Sequence, residues 1–199
     1  MRSLAFAGPL FALALAGPAF ASEWSLDPEH TELGFSVRHM MVSNVHGDFG
    51  KYTAVINVDD KDVTKSTVTM DIDPASINTK SEKRDTHLKS GEFFDVTKFP
   101  KMTFKSTKIE KGADAKHLKI TGDLTMHGVT KPITLDAELS DDWTDPKEWG
   151  GNTHKGVKAT GKLNRKDFGL NWQKELDKGG VVAGDEVTLS IDAELVKKK

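Results

Sequence analysis

Seven histidines, at positions 30, 39, 46, 87, 117, 127 and 154, are the side chains of this sequence best suited to chemistry, and their spacing argues against most of it. His39 and His46 can approach across a turn and share a divalent cation with Asp48 as a third donor. Isolated, hydrogen-bonded histidines are the commoner case, so no metal is expected. The sequence has no His-Glu-x-x-His pair and no Gly-x-Ser-x-Gly elbow, and the lack of cysteine removes thiol nucleophiles and disulfides alike. Glu92 and Asp95 flank Phe93 and Phe94 and read as turn or capping groups rather than an acid–base pair. Arg38 could meet an anionic or carbonyl oxygen through charge-assisted hydrogen bonds, or serve equally well as a surface ion-pair partner. Nothing supplies a convergent nucleophile, base and orienting group, so neither catalysis nor a cofactor is expected.

The elements that must position these residues show themselves by alternation. Leu33, Phe35 and Val37 alternate with polar neighbours. The same period returns in Tyr52–Val58, Val68–Ile72, Met102–Phe104, Leu118–Met126, Ile133–Leu139, Val157–Leu163 and Val187–Leu195. Each run has one apolar and one charged or hydroxylic face, as half-buried antiparallel strands do. Turn signals such as Asp59-Asp60 and Gly150-Gly151-Asn152 separate them. About eight such strands bury their apolar faces together most completely by closing into an antiparallel barrel, with a two-sheet sandwich as the alternative. The exception is Thr79-Lys80-Ser81-Glu82, which has capping-box form and predicts a short helix to about Lys89, stopped by Gly91. With little apolar besides Leu88, that helix belongs at an end or flank of the barrel.

Composition bounds the partners. The first 21 residues, MRSLAFAGPLFALALAGPAFA, read as a secretion leader cut before Ser22, which leaves one domain over residues 22–199. The formal charge of −2 favours neither sign and argues against a nucleic-acid partner. Inside the barrel, Ala54, Ala137, Ala159, Ala193, Gly122 and Gly161 face Met70, Met102, Met126, Phe35, Phe104 and Phe168. Small residues leave room and methionine adapts to a ligand of variable shape; equally, small and large side chains can interleave to fill a solid core.

Longer motifs narrow the choice. KRDTHLKSGEFFDVTKFPKMTFKST (83–107), GDLTMHGVTKPITL (122–135), the opening WSLDPEHTELGFSVRHM from Trp24, WGG at 149–151 and KDFGLNW at 166–172 resemble, in order, the YceI-like family of bacterial periplasmic proteins. The resemblance implies a lipocalin-like antiparallel barrel with a helix, enclosing an elongated apolar cavity. It also implies a ligand such as an isoprenyl phosphate, an isoprenoid quinone or a fatty acyl chain, and a periplasmic location. Ligand contacts are then expected from Phe35, Val37, Arg38, His39, Met40 and Met41 as the gate, from Phe49, from Phe168 and Trp172, and from Met70, Met102, Phe104 and Met126 along the lumen. A carrier, store or scavenger fits these residues, with a part in stress response. An enzyme acting on such a lipid and a packed barrel that meets a protein partner are the alternatives. The resemblance also allows a homodimer, although no apolar stripe clearly faces outward, and transient membrane contact is compatible with a lipid ligand.

Overall fold

Alternation gives each segment one face that water excludes and one that it tolerates, so the backbone extends and pairs until the apolar faces look inward together. The computed structural model describes residues 21–177 and 179–199. Its strands are β1 (Ala21–Leu26), β2 (Glu32–His39), β3 (Ser43–Phe49), β4 (Tyr52–Asp59), β5 (Thr67–Ile72), β6 (Ile77–Asn78), β7 (Met102–Lys111), β8 (His117–Met126), β9 (Val129–Leu139), β10 (Trp143–Thr144), β11 (Thr153–Asn164) and β12 (Ala183–Lys197). One α-helix, α1 (Glu82–Lys89), lies between β6 and β7. The expected leader lies outside the described residues except for Ala21, which opens β1.

Eight strands form a ring in the order β11-β9-β8-β7-β5-β4-β1-β12, and β12 pairs back onto β11 to close it, every pair antiparallel. The eight-stranded antiparallel barrel expected from alternation is what forms. Its first strand differs from the expectation. The ring strand is β1, whose inward residues Trp24 and Leu26 make too short a run to register as alternation before Asp27 and Pro28 interrupt it. The run at Leu33–Val37 is β2, which shares one long edge of β12 with β1: Leu195–Lys197 pair with β1, and residues from Ala183 to Asp192 pair with β2. Between the two, the Asp27 amide donates to the Glu194 carbonyl at 2.8 Å. Beyond that fork β2 carries β3 and β6 outward as a wing, and α1 packs beside β6.

Two buried clusters follow from the registers. Met102, Phe104, Leu124, Met126, Ile133, Leu135 and Ala159 join Phe168 and Leu170 in the larger one, and Trp24, Ile56 and Leu195 form the smaller. A bulge between Ser106 and Lys108 shifts the parity of β7, so Ile109 is buried although it falls out of step with Met102 and Phe104. The two inward glycines leave less room than expected. A Cβ on Gly122 would lie 2.4 Å from the Phe104 ring, and one on Gly161 2.7 Å from Leu135, so both vacancies are filled by neighbours.

The helix forms where predicted but is held differently. Its N-cap is Ser81, with no side-chain capping bond. Thr79, 3% exposed, instead donates its hydroxyl to Asp85 at 2.5 Å and accepts from Arg84 Nε at 2.7 Å, so the anchor is a Thr–Asp–Arg knot. The helix stops at Ser90, whose amide bonds back to His87 at 3.1 Å, and not through a left-handed Gly91.

Candidate ligand-binding cavity

The ring encloses a cavity of about 660 Å³. Leu26, Ile56, Val58, Val157 and Leu195 line the end closed by β1. Met70, Met102, Phe104, Leu124, Met126, Ala159 and Ile191 line the middle. At the other end Phe35, Val37 and Phe49 of the wing face Phe93, Phe94 and Trp172, with Lys83, Arg84, His87 and Leu88 contributed by α1 and Ser81 by its N-cap. Lys83 and Arg38 are exposed and also line the cavity, so it reaches solvent at the helix end.

Aromatic contacts shape that end. Phe35 and Phe49 lie 5.5 Å apart between centroids, and Phe49 meets Phe94 edge-on at 5.9 Å. Trp172 lies 5.2 Å from Phe93 and 5.4 Å from His87, so one indole joins the helix to the 166–172 segment. The ring of His87 also pairs with Glu92 through Nε2. These contacts join side chains across a seam that no strand ladder bridges.

The expected site residues divide. Phe35, Val37, Arg38, His39, Phe49, Met70, Met102, Phe104, Met126 and Trp172 line the cavity. Met40 and Met41 sit on the turn between β2 and β3, 44% and 56% exposed and outside the lining. Phe168, 1% exposed, packs into the larger core cluster instead of facing the lumen. Arg38 is partly committed, since its Nη2 donates to the Met41 carbonyl at 2.9 Å and its Nη1 to Asn44 at 3.4 Å. His39 lines the cavity while His46, opposite Ser36, is exposed on the outer face, so pleating separates the pair that a shared metal would need.

Some lining residues carry no periodic signal in the sequence. The sequence places α1 at an end or flank of the barrel without assigning it ligand contacts, yet the polar side chains Lys83, Arg84 and His87 edge the cavity. Arg165 is another. It is 4% exposed and donates to the carbonyls of Gly184 at 2.9 Å and Trp172 at 2.8 Å, with Asp185 at 3.2 Å. Burial pulls its pKa below the ordinary arginine value, while the Asp185 charge opposes that shift. This buried guanidinium ties the Trp172 segment to the start of β12; its signal was an arginine directly ahead of KDFGLNW.

Outside the barrel, Asp27, His30 and Glu194 bring donor atoms within 4.8 Å of one another at the fork between β1 and β2. Asp27 is already engaged there, accepting from the Glu29 amide at 2.8 Å and facing the His30 ring at 3.0 Å, which makes it a turn cap.

A closed antiparallel barrel around one apolar cavity, with a short helix at the mouth, defines a small-ligand barrel. The chain belongs to the YceI-like family: residues 24–195 match the YceI-like domain. A UPF0312 protein of Staphylococcus aureus strain N315, SA2479, is 36% identical over 173 residues, covering 87% of this chain and 96% of its own. Among solved structures, a YceI protein of Campylobacter jejuni is 34% identical, with a TM-score of 0.69 over 81% of this chain and 90% of its own. A polyisoprenoid-binding domain from Saccharophagus degradans shares the fold at a TM-score of 0.57 and 14% identity, over 88% of this chain and 98% of its own.

Proposed function

We propose that this protein binds one long lipid-like chain in its barrel cavity. The ligand class is a polyisoprenoid, its phosphate, an isoprenoid quinone or a fatty acyl chain. On this reading the protein works in the periplasm after a leader is removed before Ser22, carrying, storing or sequestering the lipid, including under stress. The observation that carries the reading is the cavity of about 660 Å³, lined along the barrel by apolar side chains with cationic groups at its mouth. The Saccharophagus degradans domain of the same fold, named for binding polyisoprenoids, supports it. Burial of apolar surface supplies about 25 cal/mol per Å², from which association costs are subtracted, so a long chain can be held by contact alone. No covalent step is required, and the protein acts as a binder rather than an enzyme.

Native mass spectrometry of protein taken from the periplasm without detergent tests this. The expected result is Ser22 as the first residue and a one-to-one adduct, released by organic solvent as a chain of five-carbon units or an acyl chain. Ala159 and Ala193 both line the cavity, and Ala159→Phe with Ala193→Phe should remove the adduct while the sheet spectrum persists, since the added rings enter empty space. A wild type that carries no adduct and takes up no added polyprenol or quinone refutes the reading.

A further inference from the structure

The turn joining β2 to β3 breaks the usual rule for its shape. The Val42 amide donates to the His39 carbonyl at 3.0 Å, and Met40 and Met41 between them have φ of 48° and 62°. Two central residues with positive φ make a type I′ turn, a position that favours Asn-Gly because left-handed backbone crowds any side chain. Here it carries two methionines followed by Val42, and the three are 44%, 56% and 78% exposed. Among the described residues no other run of three consecutive large hydrophobics stands so exposed. The tip is braced as well: Arg38 Nη2 donates to the Met41 carbonyl at 2.9 Å, and the Met40 amide to the Val182 carbonyl at 2.9 Å. Arg38, His39 and Val182 in turn line the cavity, so the exposed tip adjoins its mouth.

We propose that this tip is a membrane-docking element: Met40, Met41 and Val42 enter the apolar phase of a bilayer and set the cavity mouth against it. The proposal rests on the lipid-binding reading, because the tip adjoins a cavity whose ligand dissolves in bilayers. A second copy of the chain is a poorer occupant, since three side chains fall far short of the roughly 1,000 Å² that a specific protein interface buries. In sequence the charge is mixed, with Arg38 beside the tip and Lys174, Glu175, Asp177 and Lys178 on the 174–178 segment. Docking is therefore apolar rather than electrostatic, and a zwitterionic surface suffices. Methionine suits the role because its unbranched thioether chain adapts to a fluid partner.

Flotation of the mature protein with phosphatidylcholine vesicles tests the proposal. The wild type should float with the vesicles at low and high salt, and Val42→Asp should reduce capture by about tenfold or more. Met40→Asn with Met41→Gly separates docking from turn stability, because Asn-Gly is the preferred sequence for this turn: the thermal midpoint should rise while vesicle capture falls. Equal capture of wild type and both variants, capture that vanishes at high salt, or sedimentation showing that the tip instead joins two chains would each overturn the proposal. Farnesol added from solution, followed by quenching of tryptophan fluorescence, scores the cavity separately. Val42→Asp should bind it as the wild type does; a wild type that floats but ignores farnesol retires the cavity reading and leaves the tip standing.

Discussion

The two ends of the barrel are closed by different means. At one end β1 is hydrogen-bonded on both edges, to β12 and β4, and sets Trp24, 2% exposed, beside Ile56 and Leu195. Lys155 and Lys197 place their ammonium groups 5.6 and 5.7 Å from the indole centroid, and Lys155 also pairs with Asp142 at 2.8 Å. At the other end the cover is α1, a helix with no buried residue, held by its Thr–Asp–Arg knot and by ring contacts to Trp172. Opening the first end means breaking strand ladders; opening the second means parting side chains. Cationic side chains stand at both ends, Lys155 and Lys197 against Trp24, and Lys83, Arg84 and Arg38 at the helix end, so what separates the two is backbone pairing at one and side-chain contact at the other.

Substitutions at the two ends should differ most in what they cost. Trp24→Ala should destabilise by about 3–5 kcal/mol in urea unfolding, the usual cost of removing a large buried aromatic. Trp24→Phe should cost much less, since the indole N–H it removes has no hydrogen-bond partner among the described residues. Leu88→Ala on α1 should cost about 1 kcal/mol or less, because the side chain is only half-buried. Its effect belongs in the release rate of bound polyprenol, which should rise. Equal stability losses at Trp24 and Leu88, with release unchanged, would erase the distinction between the ends.

The closed ring was legible in the sequence because alternation reports it directly: every run from Tyr52 to Leu195 is a ring strand. What stayed hidden depends on register over long separations. β1 joins the ring through only two inward residues, and the division of the β12 edge between β1 and β2 follows from pairings some 160 residues apart in sequence. Lining residues on strands were readable for the same reason that the strands were. Phe168 was misplaced because Arg165–Phe168 forms a short 3-10 turn, where a two-residue period has no meaning. The helix side chains give no such signal, because α1 has no apolar stripe and faces the cavity with Lys83, Arg84 and His87.

Arg38 offers a finer test of the open end. If it meets the ligand's head group, Arg38→Ala should weaken a phosphorylated isoprenoid more than an uncharged one of equal length, by about 1–3 kcal/mol. Because the same guanidinium braces the Met41 carbonyl, both ligands should also lose a smaller common amount. Titration calorimetry with the two ligands separates these contributions. Equal losses would confine Arg38 to bracing the hairpin.

The smallest effect belongs to the closed end and depends on pH. His154 faces Glu194 Oε1 through Nδ1 at 2.7 Å and Asp145 Oδ2 through Nε2 at 3.2 Å, so both ring nitrogens meet carboxylates and the doubly protonated ring satisfies both. Burial alone pushes its pKa down, but the hydrogen bonds to Asp145 and Glu194 outweigh burial and raise it above the ordinary value of 6.5. A raised folded-state pKa adds stability that is fully present below about pH 6.5 and is lost as pH climbs through the raised value. His30 and His117 are raised by Asp27 and Asp114 in the same direction, so the wild-type profile alone cannot isolate His154. The informative quantity is the difference in thermal midpoint between wild type and His154→Gln, which keeps a polar group but not the charge. That difference should be widest in mildly acidic buffer and shrink toward alkaline pH. A constant difference would mean that His154 supports the closed end by packing, and that its charge contributes nothing to the seal.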